Sequence, residues 1–235
     1  MPDNQIASRI AKVRQQIEQS CAQYQKDPNA VTLLAVSKTK PAEAIREAWQ
    51  AGQRDFGENY LQESLEKQQV LSDLNDIQWH FIGPIQSNKT KAIAEHFQWV
   101  HSVDRLKIAQ RLNDQRPEDL PPLNICLQIN ISAEESKSGI TLDELPELAD
   151  AINQLPRLKL RGLMAIPAPA EGFETQRQPF AALNQALQQL QAKYPHMDTL
   201  SIGMSADMDA AIAEGSTIVR IGTAIFGARD YSQRQ

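Results

Sequence analysis

Residues 31–58, VTLLAVSKTKPAEAIREAWQAGQRDFGE, hold one complete structural unit, and the remainder of the chain repeats its rhythm. VTLLAV (31–36) is short, apolar and bounded by polar residues, the pattern of a buried strand. Pro41 then opens PAEAIREAWQAG, which closes at Gly52. Proline at the start and glycine at the end are what helix termini prefer. A second strand pattern follows at 54–58. Strand, helix, strand in that order implies parallel strands joined by a crossover.

Downstream, strand patterns recur at 78–82, 99–103, 123–129, 158–166, 199–203 and 217–222. Helical segments lie between them at 60–70, 89–96, 105–114, 142–154, 180–193 and 208–214. With the two strands of the opening unit the total is eight, which favours a closed barrel over a doubly wound sheet. A doubly wound dinucleotide fold would need G-x-G-x-x-G after its first strand, where this chain has Ser37, Lys38, Thr39, Lys40 and Pro41. PAPAEGFETQRQP (167–179) reads as a βα loop. Upstream, Ile6, Ile10, Val13 and Ile17 recur at the period of one helical face, and Asp27 and Pro28 end that helix. The expected class is α/β, with one domain over 1–235. It comprises a leading helix within 1–26 and a single eight-fold βα barrel of TIM type over 31–231.

Composition sets limits on function. Of 235 residues, 41% are hydrophobic and 23% charged, as in an ordinary globular protein. A formal net charge of −5 leaves no basic excess to neutralise phosphates, which argues against nucleic-acid binding. No stretch approaches the ~20 apolar residues of a membrane span, and the polar start MPDNQIASRI has no signal-peptide core. A cytoplasmic location is expected. Cys21 and Cys126 form no C-x-x-C pair and read as idle buried thiols.

In an eight-stranded βα barrel the functional surface is the C-terminal end of the strands. Lys38 follows LLAV after one serine. A desolvating wall there favours the neutral amine that condenses with an aldehyde; a solvated lysine on the rim is the alternative. Lys40, beside Pro41, is the more solvated of the two. The loops after strands seven and eight of such barrels often bind phosphate through glycines, hydroxyls and helix-start amides. Gly203 and Ser205 in SIGMSADM, with Gly222 and Thr223 in VRIGTAIFG, have that chemistry. Ser205 is equally suited to cap the helix that begins near Asp207.

Arg220 stands inside TIVRIGTAIF, on the opposite side of the strand from Val219 and Ile221. Its guanidinium needs either an ion-pair partner inside the barrel or an acceptor on a ligand at the mouth. Asn59 in FGENY and His80 in WHFIG are further candidates to face the mouth, with a hydrogen-bonded core position as the alternative for His80. The loop INISAEESKSGI, with Ser136, Lys137, Ser138 and Gly139, either folds over the mouth or stays in solvent. Other chemistries fit poorly. His80, His96 and His101 lack the spacing of a zinc protease, Cys126 has no ligand motif, no G-x-S-x-G elbow occurs, and Glu134 and Glu135 lie in a hydrophilic loop.

The segments AVSKTKP, FGENYLQE, HFIGPIQSNK, GLMAIPAP, SIGMSADM and RIGTAIFGARDY together resemble the pyridoxal phosphate homeostasis protein family, the YggS/PROSC-like proteins, over residues 31–231. The resemblance implies a barrel like the N-terminal domain of alanine racemase, with pyridoxal 5′-phosphate (PLP) held as a Schiff base on Lys38. It implies a phosphate against Ser205, Gly222 and Thr223, Arg220 facing the pyridine nitrogen, and Asn59, His80 and Met204 lining the pocket. It implies a protein that carries and buffers PLP and keeps vitamin B6 and amino-acid pools balanced without turnover; apo PLP-dependent enzymes are the expected acceptors, and the short C-terminus makes a monomer the expected state.

The residues agree with that expectation. PLP enzymes that use the ring as an electron sink most often keep its nitrogen protonated with an acidic residue. Arg220 cannot accept that proton. Alanine racemase shares the arginine but adds a β domain and a catalytic tyrosine, whereas this sequence stops at Gln235, soon after strand eight. Two alternatives stand beside the carrier: a PLP-dependent racemase or lyase of narrow specificity, and a barrel that binds a phosphorylated metabolite without a covalent bond.

Overall fold

The computed structural model describes residues 5–135 and 138–229. Eight parallel strands close on themselves in sequence order: β1 (Thr32–Val36), β2 (Asp55–Glu58), β3 (Gln78–Phe81), β4 (Trp99–Val103), β5 (Leu123–Gln128), β6 (Leu158–Met164), β7 (Thr199–Ser201) and β8 (Ile218–Ile221). The α/β barrel expected from the sequence is therefore the fold. Closure is made by β1 pairing with β8, with Thr32 opposite Ile218 and Leu34 opposite Arg220.

The strands separate two environments because successive side chains point to opposite faces. A Cβ built on Gly57 would lie 3.1 Å from Leu34 and 3.2 Å from Ile82, so these three share the barrel interior. Leu33 and Ala35 then face outward, where they join a buried apolar layer beneath the helices with Ile45, Ile93, Ile108, Leu112, Leu183 and Ile212. Those helices are α2 (Ala42–Gln50), α3 (Leu61–Val70), α4 (Thr90–His96), α5 (Leu106–Gln115), α6 (Leu145–Ile152), α7 (Phe173–Gln191), α8 (Met208–Ala213) and α9 (Thr223–Phe226). The leading helix α1 (Gln5–Gln23) buries Ile10, Val13, Ile17 and Cys21 and packs beside α2, α8 and α9, across the seam where the barrel closes. Each fully buried aliphatic side chain there contributes roughly 1.5–3 kcal/mol.

Some boundaries differ from the sequence reading. Helix α7 begins at Phe173, inside the segment read as a loop, and holds Pro179 within its second turn. Gly172, at φ +87°, starts it, and Gln176 N–H donates to Gly172 O at 3.0 Å. The helix tolerates the proline at the cost of one internal bond. Strand β7 stops at Ser201 because Gly203, at φ +102°, turns the chain out of the extended region. The sequence pattern ends strand eight at Gly222 and continues into a loop, whereas Thr223–Phe226 form the one-turn helix α9. Both cysteines are buried and free, and burial pushes the Cys126 thiol up to about 12. Among the described residues no helix is long and apolar enough to cross a membrane.

Strand β6 carries an irregularity opposite Ile125 and Cys126, and there Gly162 lies against β7. A Cβ on Gly162 would stand 1.7 Å from Thr199 O, a clash with backbone that no side-chain rotation relieves. Gly162→Ala should therefore cost about 3 kcal/mol or more and lower the melting temperature by roughly 6–12 °C. Gly52→Ala, left-handed at φ +97° with no atom in the way, should cost about 1–2 kcal/mol. Thermal melts of the two variants check the order; equal losses would contradict it.

Candidate functional site

The turn that carries Lys38 follows directly on β1. Ser37 N–H still bonds Gly57 O at 3.0 Å, as in a strand, and Lys40 N–H then closes back on Ser37 O at 3.1 Å. Lys38 and Thr39 are the central pair of this turn, and Thr39 has φ +66°. That conformation suits glycine and is costly for a β-branched residue, so the surroundings must impose it. They do so from α3. Glu63 accepts the Thr39 N–H at 2.6 Å, and Lys67 Nζ donates to Ser37 O at 2.9 Å. Lys67 also pairs with Glu58 at 2.5 Å and with Glu63 at 3.3 Å, while Ser37 Oγ donates to Glu58 Oε1 at 3.0 Å. Burial pushes the fully buried Glu58 carboxyl up to about 7, against the pull of Lys67. A buried ion pair of this kind is weak evidence for stability and better evidence for imposed geometry. Here it holds a strained turn, and alternation from Leu34 sets the half-buried Lys38 on the inner row at the mouth.

The end of β8 lies against the end of β1, which that turn continues, and the loop after β7 is tied to β8. A Cβ on Gly222 would lie 3.3 Å from Val36 O and 3.4 Å from Val36 Cβ, so the end of β8 lies against the end of β1. Thr223, exposed, follows at once. Arg220 N–H bonds Gly203 O at 2.9 Å, tying the two loops together. A Cβ on Gly203 would stand 2.6 Å from Ala211 Cβ, so this position requires glycine for space as well as for its φ. In the loop 204–207, Asp207 Oδ1 accepts the Met204 N–H at 2.7 Å, and Asp207 N–H returns a bond to Met204 O. Ser205 is exposed, and Asp207 occupies the cap position of α8, so the capping alternative for Ser205 does not hold. Met204 is 42% exposed. Lys40 is drawn away from the mouth, its Nζ donating to Ala228 O at 2.5 Å.

Beside these loops a cavity of about 270 Å³ opens at the mouth, lined by Asn59, Ile82, Gln128, Asn130, Ser138 and Ile166 among others. Asn59 Oδ1 is buried there with no hydrogen-bond partner among the described residues. Arg220 is buried, and desolvation lowers its guanidinium to about 10. Nη1 donates to Ser201 O at 2.6 Å and to Ser201 Oγ at 2.7 Å, and Nη2 to Ala165 O at 3.0 Å. A guanidinium has five N–H groups, so Nε–H and one Nη2–H are left over among the described residues. Its partners are thus backbone and hydroxyl oxygens and not the interior carboxylate that the ion-pair alternative required.

His80 lies apart from this group. Its ring is buried between Asp55 and His101 and lines a second cavity, of about 320 Å³, which also holds Thr32, Asp55, Thr199 and Thr217 from the N-terminal ends of strands. Ser136 and Lys137 lie outside the described residues. Gly139 N–H is anchored on Asp104 Oδ2 at 3.2 Å, so that end of the loop is tied to the segment after β4.

The residues at the mouth fit the cofactor that the resemblance implies. An orphaned acceptor on Asn59, unspent donors on Arg220, a close glycine approach at Gly222, hydroxyls on Ser205 and Thr223, and an amine on Lys38 are the donor set for a phosphorylated pyridine aldehyde. Sequence reasoning missed the support beneath them. Glu58, Glu63 and Lys67 were not among the residues singled out; the available signal was Lys67 falling four residues after Glu63 on the same side of α3 as buried Ser64. Asp55, His101 and Ser201 gave no local signal, since only barrel closure brings them into one interior.

Residues 10–230 match the family model for the alanine racemase N-terminal domain. A protein named pyridoxal phosphate homeostasis protein from Pseudomonas aeruginosa is 63% identical over 226 residues, 96% of each chain. The protein of the same name from Escherichia coli strain K12 is 59% identical over 233 residues, 98% of this chain and 100% of that one. The solved structure of PipY from Synechococcus elongatus PCC7942 with PLP bound superposes with a TM-score of 0.83 at 39% identity, covering 94% of this chain and 100% of that one.

The Glu58 carboxyl sits above its ordinary value of 4.5 in the folded protein. Its contribution to stability is therefore full below about pH 4.5 and is lost as pH rises through about 7. Lys67→Met removes the opposing cation and extends that loss to higher pH. The variant should be less stable by about 3–5 kcal/mol near pH 8 and by clearly less near pH 5, where Glu58 takes up a proton. Urea unfolding at the two pH values checks this; equal losses at both would contradict the clamp.

Proposed function

The chain belongs to the alanine racemase N-terminal domain family and, within it, to the pyridoxal phosphate homeostasis proteins, and from that membership we propose that it binds PLP at the barrel mouth and carries and buffers it without turnover. The observation that supports this reading is the approach of the Gly222 and Thr223 loop to the end of β1, which the Lys38 turn continues, on the strand that also carries the buried Arg220.

In this reading the whole chain, 1–235, works as one cofactor-holding unit. PLP supplies an aldehyde that an amine can capture and a ring that withdraws electrons best when its nitrogen is protonated. Lys38 Nζ would hold the cofactor through its aldehyde carbon, the carbonyl oxygen leaving as water. Ser205, Gly222 and Thr223 take the phosphate through hydroxyls and close backbone approach. Arg220 donates to the ring nitrogen and, being a cation with no acceptor atom, holds that nitrogen as an acceptor. The electron sink is thereby weakened, which suits storage better than abstraction of a substrate proton. Asn59 and Met204 border the ring. The protein acts as a monomer in the cytoplasm, handing PLP to apo PLP-dependent enzymes and so keeping vitamin B6 and amino-acid pools balanced.

Incubation with PLP, reduction with borohydride and mass analysis of the peptides should find the pyridoxyl group on Lys38, and Lys38→Ala should carry none. Modification at another lysine, or undiminished labelling of Lys38→Ala, would overturn the assignment. Amino acids incubated with the loaded protein in deuterium oxide should exchange their α-protons no faster than with free PLP. Exchange that depends on Lys38 would establish a racemase or lyase instead.

A further inference from the structure

The barrel interior holds a line of polar side chains that the mouth does not use. Starting from β2, Asp55 Oδ1 lies 2.9 Å from His80 Nε2; His80 Nδ1 lies 2.9 Å from His101 Nε2; His101 Nδ1 lies 2.7 Å from Ser201 Oγ; and Ser201 Oγ lies 2.7 Å from Arg220 Nη1. The line crosses the barrel from β2 through β3, β4 and β7 to β8. All its members but Asp55 are buried, and the Asp55 side chain is 29% exposed at the lower cavity.

The directions of these bonds are forced. A carboxylate only accepts, so His80 Nε2 carries a hydrogen and donates to Asp55. Burial lowers the basicity of His80 against the pull of Asp55, and lowers that of His101 strongly, with His80 and Arg220 adding to the effect on His101; both shifts favour the neutral ring. Neutral His80 then has a bare Nδ1, which accepts from His101 Nε2–H. His101 in turn has a bare Nδ1, which accepts the Ser201 hydroxyl hydrogen. The other end is compatible with this direction. Arg220 only donates, so Ser201 Oγ is its acceptor and is free to give its own hydrogen to His101. Every hydrogen points from Arg220 toward Asp55.

We propose that Asp55 is a second, remote counter-charge of Arg220 beside Asp207, and that the His80–His101–Ser201 chain between Asp55 and Arg220 fixes the guanidinium so that its remaining N–H groups are offered toward the mouth. Asp55, His80, His101 and Ser201 are positioning residues: none of them lies at the mouth, and each acts through the next. Aligned hydrogen bonds polarise one another in a low-dielectric interior, which lets a carboxylate on one side of the barrel serve a cation on the other. Of the other charged or titratable groups around the line, Asp207 is the carboxylate that acts on Arg220 directly, and Asp55 is the one at the end of the hydrogen-bonded line. Arg161 stacks over Trp99, itself stacked on His80, and is paired with Asp198 at 2.9 Å. Cys126, the other group inside the barrel near Arg220, is a thiol kept neutral by burial. Asp207 acts on Arg220 from the loop above, where it holds Met204 N–H, and is not part of the line. The proposal rests on the PLP reading only for what Arg220 faces, since the chain itself exists without a ligand.

The test uses the full chain without cofactor, labelled with 15N in histidine and arginine. His80 and His101 should both show a protonated Nε2 and a bare Nδ1, unchanged between about pH 6 and pH 9, with exposed His96 and His196 as reference signals in the same spectra. Asp55→Asn should speed solvent exchange of the Arg220 guanidinium hydrogens by at least about tenfold. Asp198→Asn, which alters the same lower cavity off the line, should not. A hydrogen on Nδ1 of either buried ring, an imidazolium in that range, or Arg220 exchange unmoved by Asp55→Asn would overturn the proposal. Should Asp55→Asn fail to fold, the tautomers of the unaltered chain decide alone. A protein that binds no PLP yet shows this pattern would refute the cofactor reading and leave the relay standing.

Discussion

The pairing of β1 with β8 is the constraint on which the rest of the structure depends. Its register sets Leu34 opposite Arg220 and so brings the turn after β1 against the loop after β8, joining residues 38 and 222–223, which lie at opposite ends of the chain. Register in a half-inward, half-outward strand is strongly specified, because a slip of one residue exchanges the two faces. In β1 such a slip would set Leu33 and Ala35 inside and Lys38 out of the mouth. Helix α1 reinforces the same seam from outside, lying along α2, α8 and α9, the helices on either side of the closing strands.

Inside that closed sheet the chain accepts arrangements that a purely apolar core would avoid. Glu58 and Lys67 are buried together, His80 and His101 are neutral and buried, and Arg220 is buried on backbone and hydroxyl acceptors. None of these is an efficient source of stability. What they share is that each fixes an orientation: the Glu58, Glu63 and Lys67 group holds Thr39 in a left-handed conformation, and the line ending on Asp55 holds the guanidinium. Stability is left to the apolar layer between sheet and helices, and geometry is assigned to polar groups beneath the mouth.

The sequence carried the architecture because the barrel is local in its signals. Each strand is a short apolar run, each helix has punctuation such as Pro41 and Gly52, and all eight strands were legible within a few residues of their observed limits. The errors came where local chemistry is ambiguous: Pro179 looks like a boundary but lies inside α7, and the strand-like TAIF forms a helical turn. At the site, residues that end strands could be found by position, as Lys38, Asn59, Gly222 and Thr223 were. His80 had the right environment only as its alternative reading, a hydrogen-bonded core position. Its partners Asp55, His101 and Ser201 come from three other strands, and no spacing along the chain encodes their meeting.

One ligand touching both ends of the closure is the central claim. A crystal structure of the borohydride-reduced PLP complex tests it most directly. The account predicts the cofactor's former aldehyde carbon bonded to Lys38 Nζ, its phosphate on Ser205, Gly222 and Thr223, and its ring nitrogen facing Arg220. A phosphate seated instead in the cavity between Asn59 and Asn130, with Arg220 turned to no part of the ring, would contradict it.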